Sequence, residues 1–130
     1  MPKAHRPDKS TPLPFEGKAR EVVNLVTSQV NACEYCLAAH TLIGKMYGFS
    51  DAQILEIRRR TAGFDPKLDA LARLVRNMVL ERGHTDPALV DAFFAAGWTG
   101  ANLVDAVVAV GDKWCSSRRS AICPLCRRWI

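Results

Sequence analysis

The sequence predicts an all-α protein, a single-domain helical bundle of about six helices. Three observations lead there. Apolar residues recur at helical spacing in one segment after another, helix-starting pairs such as Asp65-Pro66 and Asp86-Pro87 divide those segments, and no run alternates convincingly enough for a strand. A chain of 130 residues can bury a sizeable core as one domain.

Residues 1–14 carry Pro2, Pro7, Pro12 and Pro14 among polar and basic residues and read as a flexible N-terminal arm. The helical domain is expected over 15–113. Val22, Val23, Val26 and Val30 place a first helix through about Gln29, and Asn31-Ala32 breaks it. A second helix, containing residues 33–40, runs to Gly48, which suits a C-terminal cap. Ser50-Asp51-Ala52-Gln53 has the form of a capping box and opens a short third helix through Ile54, Leu55 and Ile57.

Asp65-Pro66 starts the fourth helix, whose Leu68, Leu71, Leu74, Val75, Met78 and Val79 line one side until Gly83. Asp86-Pro87 repeats that signal for a fifth, with Leu89, Val90, Phe93 and Phe94. Thr99 caps a sixth, in which Leu103, Val104, Val107 and Val108 form an apolar stripe and Gly111 offers a small residue for close packing. Residues 114–130 hold three of the five cysteines and two of the three tryptophans, without helical period or acidic residue. They read as an atypical C-terminal tail of aberrant or out-of-frame origin.

The net charge of +5 is unevenly spread. Residues 1–114 hold 14 Lys and Arg against 13 Asp and Glu, and the remaining charge is Arg118, Arg119, Arg127 and Arg128. A basic tail without interleaved aromatic residues does not describe a nucleic-acid groove, so no nucleic-acid partner is expected. No apolar run approaches a membrane span, and no apolar region follows the basic N-terminus as in a secretory signal. The expected address is cytoplasmic, with no membrane contact.

Chemistry concentrates in Cys33-Glu34-Tyr35-Cys36-Leu37-Ala38-Ala39-His40. On a helix Cys36 and His40 share a face, and Cys33 lies one turn earlier at the start. The helix N-terminus and an imidazole both favour the thiolate, and two residues between cysteines let one sulfur resolve an adduct formed on the other. Two other readings stay open. The pair could be half of a zinc site completed by Cys123 and Cys126, or two inert buried thiols.

The pattern Glu21, then Cys33-x-x-Cys36-x-x-x-His40, within Lys18–Leu25 and Cys36–Thr41, resembles the alkylhydroperoxidase D-like members of the carboxymuconolactone decarboxylase superfamily. The similarity runs from about Phe15 to Lys113 and takes in Phe64–Leu71 and Asn102–Asp105. The resemblance implies a cofactor-free, homo-oligomeric thiol peroxidase or disulfide oxidoreductase, free of metal. It implies that Cys36 attacks, Cys33 resolves, and Glu21 with His40 relays the thiol proton. A peroxide would be the substrate and a dithiol or peroxiredoxin-type partner the electron donor. Tyr35 stands where some members carry a second histidine. The alternatives are a non-catalytic helical scaffold of the same fold and a lactone decarboxylase, although the decarboxylase branch generally lacks the cysteine pair.

Overall fold

A computed structural model describes the backbone of residues 17–122 and the side chains through Cys115. The expected arm over 1–14 lies outside the described residues, as do Cys123 and Cys126. Within them the chain forms six helices and no strand: α1 Lys18–Val30, α2 Glu34–Met46, α3 Asp51–Arg58, α4 Pro66–Leu80, α5 Pro87–Ala95 and α6 Gly100–Ile122. Among the described residues no helix is long and apolar enough to cross a membrane.

Local chemistry explains where the helices begin and end. Ser50 and Gln53 form a reciprocal capping box at α3. The Asp65 carboxylate accepts from the backbone N–H of Lys67 at 2.9 Å and of Leu68 at 3.3 Å, with Pro66 at the first helical position. Asp86 accepts from Ala88 N–H at 2.9 Å in the same way. Thr99 and Asn102 exchange side-chain and backbone hydrogen bonds at the start of α6. Gly48 and Gly83, at φ 98° and 91°, take the left-handed conformation just beyond α2 and α4.

Helix α1 is the centre of the bundle and packs against α2, α3, α4 and α6, while α5 packs on α4. Its Val22, Val23, Leu25 and Val26 are wholly buried, and they meet Ile54 and Ile57 of α3 and Leu71, Leu74 and Val75 of α4. Phe93 of α5 is wholly buried and stacks on Trp98, whose indole N–H donates to the Lys67 carbonyl at 2.9 Å. That bond ties the α5–α6 corner to the start of α4.

Helix α6 departs from expectation in two respects. Its buried face consists of Ala106, Ala109 and Val110, whereas Val104, Val107 and Val108 are half or more exposed and Gly111 has no neighbour within 4 Å of a Cβ placed on it. Both sets of residues have helical spacing, and two small alanines together with Val110 form the side that packs on the rest of the bundle. The helix also passes the boundary expected at Lys113 and continues through Ile122. No Gly or Pro stands between Lys113 and Pro124, and extending an existing helix requires no new nucleus. Leu55 of α3 and Phe94 of α5 are 51% and 42% exposed, while Ile54 and Ile57 of α3 and Phe93 of α5 are buried.

The tight α1–α6 contact makes Ala109→Leu destabilising by about 1–3 kcal/mol through overpacking. Loss of the α4 cap in Asp65→Ala costs about 1 kcal/mol. Urea unfolding monitored by circular dichroism measures both.

Candidate active site

The turn between α1 and α2 sets the site. Asn31 caps α1, Ala32 takes a positive φ of 51°, and the Cys33 N–H returns to the Ser28 carbonyl at 3.0 Å. A non-glycine residue in that conformation is strained, and the surrounding hydrogen bonds hold it there. The reversal makes Cys33 the N-cap of α2, where its sulfur does what a serine or aspartate oxygen does elsewhere. Cys33 Sγ accepts the Cys36 N–H at 3.3 Å.

Cys33 and Cys36 are joined by a disulfide, with Cα atoms 5.3 Å apart, so the described state is the oxidised one. Each residue is 4% exposed. Both stand at the start of α2, as the sequence places them, and are buried there, with α2 packed on α1.

Glu21 belongs to α1 and is also 4% exposed, in contrast to the ordinary exposed acid its type suggests. All four buried polar residues among those described, Glu21, Asn24, Thr27 and Ser28, lie on this helix. The carboxylate has two partners. Its Oε2 is 2.8 Å from His40 Nδ1, and its Oε1 accepts the Asn24 amide at 3.1 Å. The structure therefore brings Glu21 and His40 together across nineteen residues of sequence.

The second ring nitrogen of His40 has a partner as well. Lys113 Nζ of α6 lies 2.7 Å from His40 Nε2. An ionised carboxylate only accepts and an ammonium only donates, so a charged Glu21 and a charged Lys113 together put the ring proton on Nδ1 and make Nε2 the acceptor. The ring is largely enclosed, with 15% of its side-chain surface exposed. Burial pushes Lys113 below the usual lysine range, an effect that Glu21, then Asp112, opposes by Coulombic attraction and that Arg20 reinforces. Arg20 and Asp112 form an ion pair of their own at 3.1 Å.

Sequence reasoning singled out Glu21, Cys33, Cys36 and His40 but missed Asn24 and Lys113. Asn24 carried a signal, being three residues from Glu21 and flanked by Val22, Val23, Leu25 and Val26. Lys113 carried little, since 73 residues separate it from His40. Among the described residues no group of three or more His, Cys, Asp and Glu could hold a metal ion.

No curated protein matches the chain. Residues 14–96 match the carboxymuconolactone decarboxylase family, a span that covers α1 through α5 and includes Glu21, Cys33, Cys36 and His40 but stops short of Lys113. With well over half its length matched and a bundle of helices carrying those residues, the chain belongs to the carboxymuconolactone decarboxylase family.

Proposed function

We propose that the protein is a thiol-dependent peroxidase of the alkylhydroperoxidase D-like kind, working through the Cys33–Cys36 pair. One observation carries this reading: a bonded cysteine pair at the start of α2 stands one turn before an imidazole that a buried carboxylate holds at 2.8 Å. The helix N-terminus favours negative charge on sulfur, and the oriented base offers a place for the thiol proton.

In the reduced protein His40 Nε2 takes the proton of Cys36. The thiolate attacks one peroxide oxygen, the O–O bond breaks, and the departing alkoxide takes the proton back from the imidazolium to leave as alcohol. Cys36 is then a sulfenic acid. The Cys33 sulfur attacks it, water leaves with the Cys33 proton, and the disulfide forms. An external dithiol, free or on a peroxiredoxin-type protein, returns two electrons and two protons by thiol–disulfide exchange. Glu21 keeps its charge throughout and stabilises the transient imidazolium. A reducing cytoplasm supplies such donors, and a homo-oligomer is the expected assembly.

Cys36→Ser abolishes turnover of tert-butyl hydroperoxide with a dithiol donor; retained turnover refutes the assignment. Cys33→Ser leaves a single turnover whose sulfenic acid is trapped on Cys36 by dimedone and counted by mass spectrometry. His40→Ala, which removes the base, lowers kcat/KM by about a hundredfold to ten-thousandfold, read from initial rates.

A further inference from the structure

His40 is held from two sides, and the relay from Glu21 accounts for only one of them. On the other side Lys113 reaches Nε2, the nitrogen that must receive a thiol proton. The approach is built into α6: Ala106, Ala109 and Val110 seat that helix on α1, and Lys113 follows Val110 by three residues on the same face. The charged groups around the pair are Glu21 and Arg20 from α1 and Asp112 beside Lys113 on α6. Cys36 lies one turn before the ring on α2. Arg20 and Asp112 largely offset each other through their ion pair, which leaves Lys113 and Glu21 as the opposed charges on the two ring nitrogens.

We propose that Lys113 is a positioning residue for His40: its ammonium donates to Nε2, so that the ring is fixed from both sides as the Nδ1–H tautomer and the accepting nitrogen is kept for the Cys36 proton. In the disulfide state Cys36 has no proton to give, and Lys113 occupies the Nε2 lone pair. On reduction the thiol competes for that lone pair. The ammonium then remains as a positive neighbour of the Cys36–His40 couple, and a positive neighbour favours the thiolate. This role rests on the reading of Cys36 as the attacking thiol.

The full chain, reduced and freed of reductant, is alkylated with iodoacetamide over a range of pH, and modified Cys36 is followed by mass spectrometry. Lys113→Met slows alkylation near neutral pH about tenfold and moves its onset up by about one pH unit, the size of shift a lost neighbouring charge produces. Lys113→Arg restores both charge and donor and keeps the profile within about twofold of the parent. An unchanged profile in Lys113→Met, or one equally displaced in Lys113→Arg, overturns the proposal. Nitrogen NMR of the His40 ring in the unsubstituted disulfide form gives a second reading that needs no variant to fold. The Nδ1–H tautomer with an accepting Nε2 is expected, and an Nε2–H tautomer overturns the proposal. Neither measurement involves peroxide, so loss of peroxidase turnover alongside an intact Lys113 effect would count against the peroxidase reading alone.

Discussion

A carboxylate buried within the central helix is the constraint to which the rest of the structure answers. Glu21 is almost wholly removed from water, and a buried polar group must be met by hydrogen-bond partners. Asn24 meets one oxygen from the same helix, and His40 meets the other from α2. Lys113, from α6, adds the positive charge beyond the ring. Three helices thus converge on one negative charge. Removing one partner of a buried pair typically costs about 3–5 kcal/mol, yet an apolar replacement of the whole pair is often neutral. The arrangement therefore contributes more to where His40 points than to how stable the bundle is.

The dithiol obeys a different constraint, that of the helix start. An α-helix leaves its first N–H groups without intrahelical acceptors, and at α2 the Cys33 sulfur accepts one of them. The group that caps the helix is also the group that bonds to Cys36. The helix cap and the disulfide consequently draw on the same few atoms, and the positive end of α2 acts on sulfur without any charged side chain. Burial of both cysteines strengthens each nearby charge, because little water remains to screen it.

Helix boundaries were legible because the signals that set them are local. Ser50 with Gln53, Asp65 with Pro66 and Asp86 with Pro87 bind backbone groups two or three residues away, and each starts a helix where the sequence places one. The buried face of α4 was legible too, since it carries a single dominant apolar row, whereas α1 is enclosed by four helices and buries Glu21 through Ser28 on every side, polar residues included. On α6 two rows compete. The valines at 104, 107 and 108 are the more hydrophobic, but Ala106 and Ala109, with Val110, are the ones buried where α6 packs on the bundle. Hydrophobicity alone favours the wrong row.

The sequence by itself determined six helices, the limits of the first five to within a few residues, and the placement of Cys33, Cys36 and His40 at the start and along the first two turns of α2, all of which depend on signals local to one helix. Tertiary structure decided what those groups experience. That Glu21 is buried, that its carboxylate meets His40 Nδ1, and that Lys113 meets Nε2 follow from how α1, α2 and α6 are packed. Such contacts join positions 19 and 73 residues apart, and no periodicity along the chain encodes the angle at which one helix crosses another.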